Sequence, residues 1–236
     1  MMGRLHRRIA ACGLIACAGV AHGASTAWST QQGNGNFSAT AQNVCSGTPA
    51  GMRERIVWSP DGRRKIVTGN PGQPGSATMV VDESGHPFAL ALAAWPCPEV
   101  AWAPDSHAFF VTYSDGGAVG TYDVAAYRLA HGQLQRMMPG TAAHRDFSRH
   151  YPRCDTPETP NVAGVAWSAD GDRLLLAAQV LPHSNCDAMG TFALYEVALP
   201  SGRILARHRG PASHAAFKGL LGKSLQSERK QDDDEK

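Results

Sequence analysis

The sequence predicts an all-β, propeller-like fold with three recognisable four-stranded blades, and three observations carry that reading. The first is an internal repeat. Arg55-Ile-Val-Trp-Ser-Pro-Asp-Gly-Arg-Arg-Lys-Ile-Val-Thr, Glu99-Val-Ala-Trp-Ala-Pro-Asp-Ser-His-Ala-Phe-Phe-Val-Thr and Gly164-Val-Ala-Trp-Ser-Ala-Asp-Gly-Asp-Arg-Leu-Leu-Leu-Ala align residue for residue. Each reads as an apolar strand ending in Trp58, Trp102 or Trp167, a four-residue turn and a second apolar strand. The second is spacing: Trp58 and Trp102 lie 44 residues apart, within the ~40 to 45 of a four-stranded blade. The third is turn chemistry. Ser59-Pro60-Asp61-Gly62 places Ser first, Pro with its preset φ second and Gly fourth, as a type I turn favours. The copies lose the Gly at Ser106 or the Pro at Ala169, yet Asp61, Asp105 and Asp170 persist and can bond backbone amides as Asx turns.

Strands follow in order. In the first blade, Arg55 to Trp58 is succeeded by Lys65 to Gly69, a Pro-Gly-rich turn, Thr78 to Asp82, a Glu83-Ser84-Gly85 turn and Phe88 to Ala94. The second blade runs Glu99 to Trp102, Phe109 to Tyr113, Tyr122 to Leu129 and, after Ala130-His131-Gly132, Gln133 to Met138. The third runs Gly164 to Trp167, Leu174 to Val180, Thr191 to Leu199 and, after Pro200-Ser201-Gly202, Arg203 to His208. Trp102 to Trp167 spans 65 residues, 21 more than the first interval, and the excess falls between about 139 and 161. Ala142 to Tyr151 within it reads as a short helix before a Pro-rich loop.

Three blades are few, since propellers typically close with four to eight. Ser213 to Phe217 is expected to form a worn first strand of a fourth blade, with Phe217 in the Trp position, and Trp28 to Ala41 to add strands from the other terminus. A fourth blade closed by both termini would remove an exposed sheet edge. The alternative is a partial propeller completed by a second chain.

Outside the repeat, the chain opens MMGRLHRR, continues without charge from Ile9 to Ala21 and reads Ala21-His22-Gly23 before Ala24. Basic, apolar and small-residue stretches in that order predict a signal peptide over 1–23, too short to serve as a transmembrane segment. Leu14-Ile-Ala-Cys17 is similar to a bacterial lipoprotein box, which leaves a lipid anchor at Cys17 as the alternative to a free periplasmic or secreted product. The propeller-like domain is expected over 24–217 and a polar tail over 218–236, acidic and without apolar residues at its end. With Arg4, Arg7 and Arg8 set aside, 19 basic residues stand against 20 acidic ones. That balance gives no electrostatic footprint for nucleic acid.

The sequences Trp58-Ser59-Pro60-Asp61-Gly62, Trp102-Ala103-Pro104-Asp105-Ser106 and Trp167-Ser168-Ala169-Asp170-Gly171 resemble the WD-like propeller repeat of the periplasmic TolB type. The likeness covers Arg55 to His208, 154 of 236 residues. It implies an antiparallel propeller used as a binding platform, with no catalytic residue attached to the repeat. On this reading Trp58, Trp102 and Trp167 are interblade core and should all be largely buried, rather than a sugar-stacking platform.

The remaining chemistry is sparse. No serine stands on a Gly-x-Ser-x-Gly elbow, and His144 and His150, with Asp146 between them, are six residues apart and share no helix face. Asp115-Gly116-Gly117 needs no ion to act as a turn. The inserted segment carries Arg145, Arg149, His150 and Arg153, a candidate binding loop on a rigid scaffold. Beyond the signal, Cys45, Cys97, Cys154 and Cys186 remain, an even number in a chain bound for an oxidising compartment. Cys154 and Cys186 flank the third blade, so we expect them to pair, leaving Cys45 with Cys97; the rival is zinc held by Cys154, His183 and Cys186. The functional expectation is an exported binding or scaffolding module without catalytic activity, cofactor or metal, acting on an envelope or extracellular protein or ligand. The alternative is a small propeller-type hydrolase or lyase of the cell envelope.

Overall fold

A computed structural model describes residues 27–44, 55–68, 78–90, 98–114, 121–150, 159–182, 186 and 188–226. They form a propeller-like, mainly β fold of three antiparallel sheets, each a meander of four consecutive strands. Blade one comprises β2 (Arg55–Trp58), β3 (Lys65–Thr68), β4 (Thr78–Val81) and β5 (Pro87–Leu90). Blade two comprises β6 (Glu99–Trp102), β7 (Ala108–Ser114), β8 (Tyr122–Ala130) and β9 (Gln133–Met137), and blade three β10 (Asn161–Trp167), β11 (Arg173–Gln179), β12 (Phe192–Ala198) and β13 (Ile204–His208). A short N-terminal strand, β1 (Gln42–Asn43), adds itself to the inner edge of blade two by pairing with Val100 and Glu99. The strand order is the expected one; β10 starts at Asn161, three residues before the expected Gly164, and the other strands of blade three lie within one residue of their expected limits.

The repeated turn forms as its residues dictate. Gly62 and Gly171 adopt φ of 68° and 75°, and Ser106, where the glycine is lost, still takes φ 62°. Asp61, Asp105 and Asp170 each accept a backbone N–H from two residues on, those of Arg63, His107 and Asp172. Ser59 and Ser168 donate their hydroxyls to the same aspartates. In blades one and three an arginine six residues past the tryptophan closes the turn: Arg64 lies 3.1 Å from Asp61 and Arg173 3.6 Å from Asp170. In blade two that position is Ala108, and Arg128 from the next strand meets Asp105 at 3.6 Å instead.

Blades stack through alternating apolar faces. Ile66, Val80 and Leu90 of blade one pack on Val100, Trp102, Phe109 and Val111 of blade two. Phe110, Val124 and Ala126 of blade two pack in turn on Trp167, Leu174 and Leu176 of blade three. The tryptophans form a ladder: Trp102 Nε1 donates to the Val57 carbonyl at 3.1 Å, and Trp167 Nε1 donates to the equivalent Ala101 carbonyl at 3.0 Å. Each tryptophan thus reaches back to the preceding blade.

Trp58 departs from the expectation. It is 54% exposed, against 2% for Trp102 and 1% for Trp167, and its neighbour Ile56 is 45% exposed. The reason follows from the ladder: among the described residues no blade precedes the first, so Trp58 has no carbonyl and no apolar face to reach back to.

The termini also differ from the predicted fourth blade. Ser213 to Phe217 is not a strand; it lies in the helix α2 (Pro211–Phe217). Gly210 at φ 79° and Pro211 in the first helical turn set the start, and Ala212, Ala215 and Ala216 favour helix over strand. The folded body runs on past the expected start of the polar tail, through a 3-10 turn at Lys218–Leu220 and α3 (Lys223–Gln226), because Leu221 and Leu225 are buried on blade three beside Phe37, Val165 and Leu175. Trp28 to Ala41 forms only isolated bridges, Trp28 to Ser168 and Ser38 to Leu221. Residues 27–41 and 211–226 therefore cover the face of blade three turned away from blade two as irregular chain and short helices.

One buried carboxylate ties this N-terminal segment down. Glu99, 2% exposed at the start of β6, accepts the backbone N–H groups of Asn36, Phe37 and Ser38 at 2.5 to 3.3 Å. Burial raises its pKa to about 7, and the three N–H donors work in the opposite direction. Gly35 permits the approach, since a Cβ there would stand 2.4 Å from Glu99 Oε2.

Candidate functional site: the inserted helix and its cleft

The 21-residue excess between the second and third tryptophans contains α1 (Gly140–His150), longer at its start than the helix expected over Ala142 to Tyr151. Gly140 begins it in a tight space, where a Cβ would lie 3.0 Å from both Asp123 Oδ1 and Val162 Cγ1. Arg149 and His150 occupy the last turn and Asp and Glu are absent from the first, so charge complements the helix dipole only at the C-terminal end.

The two faces of α1 are sharply different. Ala143 and Phe147 point into the core between blades two and three. Asp146 lies on the same inward side, where Arg207 of β13 grips it bidentately, Nε to Oδ2 at 2.9 Å and Nη2 to Oδ1 at 2.8 Å, and Arg209 adds a contact at 3.5 Å. The Arg207 guanidinium holds the Asp146 carboxyl below its usual range, with burial opposing. His150 Nδ1 turns back to the Asp146 carbonyl at 2.7 Å. The Tyr195 phenol beside this cluster is pushed up by burial and by the charge of Asp146.

The outward face carries Thr141, His144, Arg145, Ser148 and Arg149, spaced three and four residues apart as one stripe of a helix requires. All five line a cleft of about 830 Å³, whose opposite wall is Tyr113, Tyr122 and Asp123 of blade two with Val162 of blade three. Burial raises the pKa of Asp123, with its bond from the Val124 N–H and the nearby His144 and Arg136 pulling it down. Burial, then the charge of Glu99, raises that of Tyr122. Arg145 and Arg149 have no ion-pair partner among the described residues.

Of the residues singled out from sequence, the structure brings Arg145 and Arg149 together at the cleft and adds His144 to them. It directs His150 to the Asp146 cluster instead, and Arg153 lies outside the described residues. Asp61, Asp105 and Asp170 serve their turns. Cys186 is 6% exposed, packs in the core between blades two and three and is disulfide-bonded. Cys45, Cys97, Cys154 and His183 lie outside the described residues, as do residues 1–26 and 227–236. Among the described residues there is no group of three or more His, Cys, Asp and Glu side chains that could hold a metal. No helix among them is long and apolar enough to cross a membrane.

Sequence reasoning did not find Asp123, Tyr113, Tyr122 or the Asp146 to Arg207 clamp. Tyrosines and an aspartate at strand ends look like ordinary blade residues until the inserted helix is laid across them. A second cleft, about 430 Å³, runs between Gln31, Gln32 and Gln42 of the N-terminal segment and Ile56 and Trp58 of blade one.

No protein-family model matches the chain, and no curated protein matches it. Among solved structures it is similar to a protein provisionally named TolB from Agrobacterium tumefaciens, at 15% identity and a TM-score of 0.35, over 77% of this chain and 50% of that one. It is also similar to a provisionally named 6-phosphogluconolactonase from Bacteroides uniformis, at 18% identity and a TM-score of 0.30, over 72% of this chain and 47% of the other. The chain therefore spans about half the length of these structures.

Proposed function

We propose that this chain is an exported, propeller-like binding module of the TolB type, without chemistry of its own, that holds its ligand in the cleft beneath α1. The observation that carries the reading is the fixed presentation of α1. Its single carboxylate is engaged by Arg207 and Arg209 on the inner side, with Ala143 and Phe147 buried beside it, and its polar stripe faces a cleft whose volume suits a small ligand. Rigid support of an otherwise irregular insertion is what a binding site requires. Residues 1–23 act as the signal peptide, residues 24 onward as the mature domain, and the product is periplasmic or secreted. Cys154 is the partner of Cys186, and Cys45 pairs with Cys97.

Export is tested by mass spectrometry of the protein from its native host. A mature chain beginning near Ala24 supports it, a lipid-modified Cys17 replaces the free product with an anchored one, and an intact Met1 overturns export. Binding is tested by thermal shift of the purified mature chain against neutral sugars, amino acids, short peptides and small organic anions. At least one class should raise the melting temperature saturably, and Thr141→Trp, which fills the cleft from its exposed rim, should abolish the rise. A panel without effect, or a response that Thr141→Trp leaves intact, refutes the cleft as the binding site.

A further inference from the structure

We infer that the α1 cleft is an anion site, taking a small polar molecule through a carboxylate or phosphate group held by Arg145 and Arg149. The inference rests on the binding reading above and names the chemistry of its ligand. Three observations lead to it.

The charges of α1 are segregated by face. The helix contains one acidic residue, Asp146, and that carboxylate is turned into the body of the protein and neutralised by arginines from outside the helix. What remains on the outward face is cationic: Arg145 and Arg149, four residues apart and therefore one above the other. Two guanidiniums at that spacing offer a pair of planar donor forks, the geometry that matches the two oxygens of a carboxylate or the several of a phosphate.

The arginines, although exposed, line an open cleft and do not project from a bare convex surface. The cleft is walled on the far side by the rings of Tyr113 and Tyr122 and by the partly buried Asp123. A wall of that kind lowers the local dielectric and strengthens attraction for an anion compared with two arginines on a bare surface. The tyrosine and aspartate groups then supply ring faces and hydrogen-bonding positions for the neutral, polar remainder of the molecule.

Lastly, several arginines elsewhere are neutralised within the molecule, and the two at the cleft are not. Arg64 pairs with Asp61 and Glu83, Arg128 with Asp105, Arg173 with Asp170 and Glu196, and Arg207 and Arg209 with Asp146. Arg145 and Arg149, like Arg55, Arg63, Arg136 and Arg203, have no ion-pair partner among the described residues, and of these six only the two on α1 line the cleft together. Asp123, the one carboxylate in their cleft, sits on the opposite wall and is faced by His144 and Arg136.

The test is calorimetric titration of the full mature chain with inorganic phosphate and, separately, succinate, at constant ionic strength set by sodium chloride. Saturable binding of one or both is expected, and their ratio says whether phosphate or carboxylate is the better match. Arg145→Ala with Arg149→Ala should weaken binding at least tenfold, and the double lysine variant should recover part of the loss. Arg63→Ala, an exposed arginine on blade one, should leave it unchanged. Both cleft arginines are exposed, so the double alanine variant should melt within a few degrees of the parent, which separates lost binding from lost folding. Absence of saturable binding by either anion, or equal binding by the double alanine variant, overturns the inference. If a neutral ligand binds and Thr141→Trp blocks it while neither anion binds, the cleft remains the binding site and only its anion chemistry falls. If nothing binds, both readings fall together.

Discussion

Replacing Trp102 by alanine should cost about twice what the same change costs at Trp58, although the two occupy equivalent positions in the repeat. Trp102 is 2% exposed and Trp58 54%. A tryptophan side chain presents up to ~250 Å². At ~25 cal/mol per Å², burial contributes about 6 kcal/mol for Trp102 and about 3 for Trp58, both upper values because a denatured chain already hides part of its surface. Measured core truncations of Trp fall at about 3 to 5 kcal/mol. Scaling to that range gives about 4 to 5 kcal/mol at Trp102 and about 2 at Trp58. Trp102 also donates to the Val57 carbonyl at 3.1 Å, and losing that bond at a half-buried carbonyl adds up to about 1 kcal/mol. Urea unfolding reads the difference directly. In thermal scans, at about 2 to 4 °C per kcal/mol for a domain of this size, Trp102→Ala should fall by roughly 8 to 20 °C and Trp58→Ala by roughly 4 to 8 °C. Trp167→Ala, at 1% exposure and with its own bond to Ala101, should behave like Trp102→Ala. Equal costs at Trp58 and Trp102 would refute the ladder, because they would mean that Trp58 is buried on a face the present architecture leaves uncovered.

Four further outcomes follow from the same structure. Glu99 has a pKa raised to about 7 from 4.5, so its contribution favours the fold below about pH 4.5 and is lost as pH rises through 7, by on the order of 3 kcal/mol; Glu99→Gln should flatten the pH dependence of melting between pH 5 and 8, and an unchanged slope would count against it. Asp146 is shifted the other way by Arg207, so its contribution is present above about pH 4 and disappears in acid; Asp146→Asn should lower stability by about 1 to 3 kcal/mol at pH 7, with faster amide exchange across α1 as the confirming signal. Gly164→Ala would place a Cβ 2.5 Å from the Phe110 ring and should cost about 1 to 3 kcal/mol or more by overpacking, measurable as a shift in urea midpoint. Peptide mapping without reduction should recover Cys154 linked to Cys186, contributing roughly 3.5 to 4 kcal/mol by loop entropy; recovery of Cys186 with Cys45 or Cys97 would replace that pairing.

Much of the fold was legible because its information is local. The strand-turn-strand unit is written out by alternating apolar residues, by Pro60 and Gly62 and by the persistent Asp61, Asp105 and Asp170, all acting over a few residues. The helix in the inserted segment was legible for the same reason, and so was its cationic character at Arg145 and Arg149. Everything that depended on which surface meets which was not. A repeat makes Trp58, Trp102 and Trp167 look alike, but burial belongs to a pair of blades, and only two of the three have a blade to reach back to. Ser213 to Phe217 resembled a strand opening by its place in the repeat; Gly210 and Pro211 had the competing local signal, and packing of Leu221 and Leu225 on blade three fixed the outcome as helix. Glu99 read as the first residue of a strand, and only the N-terminal segment folding over it made it a buried acceptor of three N–H groups. The candidate site has the same division. Sequence alone supplied the arginines, whereas the tertiary structure turned Asp146 inward to Arg207, 61 residues away, and thereby left the outer face of α1 positive over a cleft. Charge on a helix is read from its residues; its direction is decided by contacts between segments far apart in the chain.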